Sequence, residues 1–261
     1  MSLDFELNGW NKESSSPKDK DFSKFKGFLK VASAPVKSHI IKELTPISGQ
    51  GLLGSCVANA IADALEILMG LNGNVIQLSR LFIYYNSRLY DKATQTDGGT
   101  YIRNGFDSLK RFGVCREDVW AYDVSKVFSQ PSIEAYSEAN DNQIEGYYRI
   151  SSGDNDLLND IEKAILADHP VVFGTGVSQE FCNFFKNEEK VWAPPATIVG
   201  GHAMIIVGFR YNASNKREFL IRNSWSENWG QSGHTWLSES YILSGYSSDF
   251  WVPTLMPALV I

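Results

Sequence analysis

The residues with the clearest chemical promise form one run, Gln50-Gly51-Leu52-Leu53-Gly54-Ser55-Cys56. From Cys56 to Met69 apolar residues fall on almost every side, which predicts a buried helix with Ser55 as its N-cap and Gly70 as its stop. A cysteine at the first position of a helix meets unsatisfied backbone N–H groups and the positive end of the helix dipole. Both favour its thiolate, the nucleophilic form. Gly51 and Gly54 let the chain fold tightly, so that the Gln50 amide returns toward the same point. With the Cys56 N–H it forms a candidate oxyanion hole.

A thiolate nucleophile needs an imidazole to stabilise it and to protonate the leaving group. Of the four histidines, His39 lies in a lysine-bearing arm, His169 precedes a proline, and His234 sits at a turn-to-strand junction. His202 follows Gly200-Gly201 and opens the strand-like run Ala203–Gly208, which leaves room for a chain to approach. A third group has to orient the ring through its other nitrogen, as in Cys-His-Asn sites. Asn223 follows the strand-like Phe219–Arg222 and heads Asn223-Ser224-Trp225, whose indole would shield an Asn–His hydrogen bond from water. A lone cysteine on a buried helix is ordinarily an inert small hydrophobe. In the company of Gln50, His202 and Asn223, Cys56 reads as catalytic, whereas Cys115 and Cys182 read as core or surface thiols.

The elements that must carry these groups divide the chain in two. After Ser79 comes a helix from Arg80 to about Tyr90, after Thr100 another, Tyr101–Phe112, closed by Gly113, and later a third, Asp156–Ala167. Strand-like runs then follow at Val171–Phe173, Ala203–Phe209, Glu218–Arg222 and His234–Ser238. The fold class is therefore α+β: a helical lobe over 43–145 with the nucleophile, then a β-rich lobe over 146–261 with His202 and Asn223. Residues 1–42 read as an extended arm, with turn chemistry at Ser14-Ser15-Ser16-Pro17.

Composition removes several function classes. A chain of 261 residues, 43% hydrophobic, can bury a core without disulfide or metal support. A net charge of −6 without a basic block lacks the footprint of a nucleic-acid binder. The most apolar stretch, Cys56–Leu71, is interrupted by Asn59, Asp63 and Glu66, so no membrane partner is expected. No metal-ligand spacing occurs, so neither metal nor cofactor is expected. The chain is expected to act as a monomer. Export with a leader absent from this chain is favoured over a cytoplasmic location.

Gln50-Gly51-x-x-Gly54-Ser55-Cys56, Gly201-His202-Ala203, Asn223-Ser224-Trp225 and Trp229-Gly230, in this order and at these distances, resemble the papain-like cysteine peptidases. The likeness runs from about residue 43 to about 252. It takes in Leu78-Ser79, Asp97-Gly98-Gly99 and Gly113 through Tyr122. Leu53 with Gly54-Ser55-Cys56-x-Ala58-Asn59-Ala60, together with Gly200-Gly201-His202-Ala203, resembles the bacterial branch. The resemblance implies a two-lobe fold with an antiparallel β-barrel-like second lobe, peptide-bond hydrolysis through a thioester acyl-enzyme, and protein or peptide substrates. It also implies that Gly98 and Gly99 bind an extended substrate backbone, with Gly201, Ala203 and Trp225 as further substrate-binding positions. The pocket for the second residue before the scissile bond would lie between the lobes with Ala203 on its wall. A small, uncharged wall favours Leu or Phe there, unless Glu239 or Asp249 closes the floor. The arm would either be the remnant of an inhibitory pro-segment or pack on the cleft. Leu53 and Val57 stand where the family commonly has Cys and Trp, so the lobe's usual disulfide is absent. The alternative is a cysteine-nucleophile acyl transferase or deamidase on a related fold, for which an Asp would be expected in place of Asn223.

Overall fold

The computed structural model describes residues 6–31, 36–43 and 45–255; the ends of the arm and of the β-rich lobe assigned above lie partly outside the described residues. In chain order the elements are α1 (Ser23–Lys26), β1 (Ser38–Ile40), α2 (Cys56–Leu71), α3 (Arg80–Leu89), α4 (Ile102–Phe112), α5 (Ile133–Ala139), β2 (Ile144–Arg149), α6 (Asp154–Leu166), β3 (Val171–Val177), α7 (Gln179–Cys182), β4 (Val191–Trp192), β5 (Gly200–Tyr211), β6 (Arg217–Arg222), β7 (His234–Ser238), α8 (Glu239–Ile242) and β8 (Ser247–Leu255).

A helix with apolar side chains on all faces has no side to give to water. Accordingly every residue of α2 from Cys56 to Gly70 is buried, and the helix packs against α3, α4 and β5. Burying each of its large aliphatic side chains stabilises by roughly 1.5–3 kcal/mol. That fixes the nucleophile-bearing helix as the centre of the molecule. Ser55 is not its side-chain cap. Its hydroxyl is engaged by the Tyr122 hydroxyl and the Asn59 side-chain amide instead. Gly70 does not stop the helix, which continues to Leu71. Ser79 does cap α3, accepting from the Phe82 N–H at 3.1 Å. Gly113 ends α4 at φ 71°.

The strands form one sheet in the order β2-β8-β3-β5-β6-β7-β4, with β1 added to β5. All pairs are antiparallel except β4 with β7. The sheet is open, with β2 and β4 at its ends, rather than closed into a barrel. Every residue of β3 is buried, which is why this strand reads as a continuous apolar run without alternation. The register places His202 opposite Thr175 and Ala203 opposite Gly174 on β3. On the other side of β5, Ile205 faces Arg222, which brings Asn223, the next residue, alongside His202. Sequence patterning did not anticipate β2, β8, β4, α5 or the short helices. β2 and β8 mix aromatic and polar residues, and their burial comes from pairing with each other and with β3.

The arm is more ordered than its composition suggests. Beyond α1 and β1, it is held by an ion cluster in which Arg103 pairs with Glu13 and Asp19, and Arg149 with Asp19 and Asp249.

Candidate active site

The loop before α2 is clamped from three sides. The Gly54 N–H donates to both carboxylate oxygens of Asp97, at 3.1 and 3.2 Å, and the Tyr84 hydroxyl donates to the same carboxylate. The Tyr122 hydroxyl donates to the Gln50 carbonyl at 2.8 Å. These contacts aim the start of α2 at the sheet, where the Ala203 N–H reaches Cys56 Sγ at 3.4 Å. Cys56 and His202 are thereby joined across the two lobes through consecutive residues of β5.

His202 Nε2 lies 2.7 Å from Asn223 Oδ1, and that oxygen also accepts the Ser224 N–H at 2.8 Å. An oxygen already accepting one hydrogen bond can meet Nε2 only as an acceptor, so the proton of the neutral ring sits on Nε2. Nδ1 then carries the lone pair. It is buried and has no partner among the described residues. Trp225 stacks on the imidazole, with ring centroids 4.2 Å apart and planes 26° apart. Trp225 is itself buried, so it shields the ring.

Gln50 is fully buried. Its N–H donates to the Ser224 carbonyl at 2.9 Å, its Oε1 accepts from the Ser224 hydroxyl at 3.0 Å, and its Nε2 donates to the Leu53 carbonyl at 3.1 Å. The second Nε2 contact is to the arm: the Glu6 carbonyl, also at 3.1 Å.

That contact belongs to a longer occupation. The Glu6 N–H donates to the Gly51 carbonyl, the Asn8 N–H to the Gly201 carbonyl, and the Gly201 N–H to Asn8 Oδ1. A Cβ placed on Gly9 would stand 2.9 Å from Cys56 Sγ and 2.5 Å from the Gly54 carbonyl oxygen. Only a glycine lets the arm cross the sulfur this closely. The Thr100 N–H then donates to the Gly9 carbonyl and the Asn11 N–H to the Thr100 carbonyl, both at 3.0 Å. The carbonyl held by Gln50 belongs to Glu6, while the backbone against the sulfur belongs to Gly9. No single peptide group of the arm therefore meets the nucleophile and the oxyanion donor together.

Covering the site inverts the electrostatics expected from the helix terminus. Burial pushes the Cys56 thiol up to about 12, against the pull of the Ala203, Val57 and Cys56 N–H groups. Burial likewise drives the His202 ring down to about 4, against its hydrogen bond to Asn223. In this closed form the pair is a neutral thiol and a neutral imidazole. Cys115 and Cys182 are pushed up to about 12 by burial as well, so the expected selective activation of Cys56 is absent while the arm is in place. All three cysteines are free and buried.

The substrate-binding expectations need revision. The Gly99 N–H donates to the Tyr84 hydroxyl at 3.2 Å, not toward the cleft. The Gly98 carbonyl accepts the side chain of Asn11 in the arm, at 3.3 Å. The backbone that pairs with an extended chain is Thr100. Gly99 is needed for its φ of 74° and because a Cβ would stand 2.5 Å from the Gly9 carbonyl oxygen. Gly201 does line the cleft, and Ala203 is fully buried beside the sulfur. Glu239 is occupied by the Arg217 N–H and Lys216, whereas Asp249 accepts the Trp10 indole N–H. Asp97, Thr100, Ser224 and Trp10 were missed. The only cue for Trp10 was a lone aromatic beside a glycine in a polar arm. The other histidines sit elsewhere, His39 on Asp168, His169 on the Pro253 carbonyl and His234 on Glu43. Among the described residues no group of three or more His, Cys, Asp and Glu is arranged to hold a metal ion.

Comparison with known proteins places this geometry. The model of the papain family cysteine proteases matches residues 35–251. A peptidase C1-like protein of Acanthamoeba polyphaga mimivirus is 36% identical over 213 residues, covering 78% of this chain and 68% of that protein. Falcipain-3 of Plasmodium falciparum is 26% identical over 206 residues, 73% of this chain, of which the chain spans 38%. Among solved structures, xylellain, a cysteine protease from Xylella fastidiosa, superposes with a TM-score of 0.80 at 26% identity, over 98% of this chain and 99% of that one.

Proposed function

We propose, starting from the fact that this chain belongs to the papain family of cysteine proteases, that it is a self-blocked peptidase of the bacterial branch whose N-terminal arm must leave before it acts. The observation that carries this reading is the seating of the arm: Gly9 lies over Cys56 Sγ while the Glu6 carbonyl occupies the Gln50 amide. The branch assignment is supported by the likeness to the Xylella fastidiosa enzyme, which includes the arm.

Peptide bonds are the target of this family's chemistry, and the residues divide the work as follows. Once water replaces the arm, the thiol proton passes to His202 Nδ1, the nitrogen left free by the Nε2–H bond to Asn223. Cys56 Sγ attacks the substrate carbonyl, and the Gln50 side-chain amide and Cys56 N–H bind the oxygen as it gains charge. His202 gives its proton to the departing amine, leaving a thioester. It then takes a proton from water, which attacks the thioester and frees the acid. Asn223 holds the ring in the working tautomer, and Trp225 keeps water from that hydrogen bond. Thr100 and Gly201 offer their backbone groups to the substrate as they now do to the arm. The partners are protein or peptide substrates, met by a single copy of the chain.

The test is a proteome-derived peptide library incubated with the full chain, with its Trp10→Ala variant and with Cys56→Ala in the same background. Cleavage by the variant that disappears with Cys56→Ala is the expected result. A silent Trp10→Ala chain whose Cys56 is shown to be accessible, or cleavage surviving Cys56→Ala, overturns the reading.

A further inference from the structure

One carboxylate stands behind the nucleophile loop and takes no part in the chemistry above. Asp97, in the loop between α3 and α4, accepts the Gly54 N–H on both oxygens, at 3.1 and 3.2 Å, and the Tyr84 hydroxyl on Oδ1. The Tyr84 oxygen in turn accepts the Gly99 N–H at 3.2 Å. One side chain thus ties the residue two before Cys56 to the glycine that precedes Thr100, the edge that pairs with an extended chain. The fit is close. A Cβ on Gly54 would stand 3.2 Å from Asp97 Oδ1 and 3.3 Å from the Tyr84 hydroxyl oxygen. All three cysteines are free, so no covalent link fixes this loop and hydrogen bonds must do it. None of these partners belongs to the arm, so the clasp persists when the arm leaves.

The clasp also brings a negative charge toward the sulfur. His202 faces Cys56 from β5 and Asp97 faces it from the α3–α4 loop; the Asp97 carboxylate opposes the thiolate. On its own far side Asp97 meets Tyr84 and Arg88 of α3 and, from the loop after α4, Tyr122. The Arg88 guanidinium lies over the Tyr84 ring, 3.9 Å from its centroid, with its donors on the Tyr84, Thr96 and Val127 carbonyls. Burial holds the Tyr84 and Tyr122 hydroxyls above their ordinary range, so both stay neutral donors.

We propose that Asp97 is a positioning residue of two kinds: its hydrogen bonds hold the nucleophile loop in line with the Thr100 edge, and its charge sets the pH at which Cys56 becomes a thiolate. The first role rests on the peptidase reading above; the second does not. Substitution separates them. Asparagine keeps Oδ1 as an acceptor for Gly54 and Tyr84 and removes only the charge. Alanine removes the charge and leaves both donors without their acceptor.

The experiment uses the full chain with Trp10→Ala, to uncover the sulfur, alone and combined with Asp97→Asn or Asp97→Ala. The first readout is the iodoacetamide alkylation rate of Cys56 against pH. Removing a half-buried charge across several ångströms should move the midpoint down by roughly 0.3–1 pH unit in Asp97→Asn. One unit below the parent's midpoint, the rate should be about two- to fivefold higher. A midpoint that stays or rises overturns the charge role. The second readout is kcat on an extended peptide at the top of each pH profile. Asp97→Asn should keep most of it, and Asp97→Ala should lose roughly tenfold or more with a smaller change in KM, the mark of misplaced reacting groups. Equal kcat in the two variants overturns the clasp. Where Asp97→Ala does not fold by its thermal melt, Tyr84→Phe cuts the same link from the other end; a several-fold loss of kcat supports the clasp and a parent-like kcat overturns it. If no peptide is turned over, the peptidase reading fails separately, and the clasp is judged by hydrogen exchange of the Gly54 amide. Protection kept in Asp97→Asn and lost at least tenfold in Asp97→Ala or Tyr84→Phe supports it; equal exchange overturns it.

Discussion

Replacing Trp10 by alanine should release the arm without disturbing the enzyme beneath it. The indole is almost fully buried, is bonded to Asp249 and sits against Gly174 and Gly201. Truncating such a side chain costs about 3–5 kcal/mol. All of that cost falls on the docking of the arm, since its partners belong to the body and remain packed among themselves. At a factor of ten per 1.4 kcal/mol, the open fraction should rise by roughly two to three and a half orders of magnitude, until opening is complete. The readout is the iodoacetamide modification rate at Cys56, followed by mass spectrometry with Cys115 and Cys182 as internal references. In the unaltered chain Cys56 is covered and its thiol pushed up to about 12, so it should react no faster than the other two. In Trp10→Ala it should outpace them by at least tenfold, with an unchanged melting profile for the body. If Cys56 reacts equally fast in both chains, the arm does not guard the sulfur and the closed geometry has no functional weight.

In the arm-released chain, Cys56→Ala or His202→Ala should abolish peptide hydrolysis, while Asn223→Ala should retain a measurable fraction because it orients the ring without sharing in bond making; equal losses by steady-state kinetics would make Asn223 structural. Closure should weaken as pH rises. Three buried carboxyls, Glu13, Asp19 and Asp249, face only two guanidinium groups, Arg103 and Arg149, and burial pushes the Glu13 carboxyl up to about 7. The closed form therefore binds a proton that an open Glu13 releases. Closure is strongest below about pH 4.5 and loses up to about 3 kcal/mol as the pH rises through about 7. The ratio of Cys56 alkylation rates between the native chain and Glu13→Gln should change across that window, and a flat ratio refutes the assignment. Gly174→Ala should displace the Trp10 ring, raising Cys56 accessibility in the native arm while lowering selection for bulky residues in the pocket. Unaltered accessibility would show that the ring has another place to go.

The sequence determined by itself the groups that can react and the elements that carry them. A helix apolar on every face has to lie at the centre, so Cys56 at its start is placed between lobes. Glycines before His202 and the strand ending at Asn223 likewise follow from local pattern, because each is a matter of neighbours within a few residues. Tertiary structure decided the rest. That Asn223 takes Nε2 and frees Nδ1 depends on β5–β6 register and on a Ser224 N–H that periodicity does not report. That Thr100, rather than Gly98 or Gly99, pairs with an extended chain depends on where Tyr84 sits. The state of the nucleophile was misread from sequence for the same reason. A helix terminus favours the thiolate, but water exclusion by an arm more than forty residues away outweighs it, and such a contact leaves no periodic trace in the chain. Only the folded protein shows that Gly9 and Trp10, two residues of a polar arm, cover the sulfur and fill the pocket beside it.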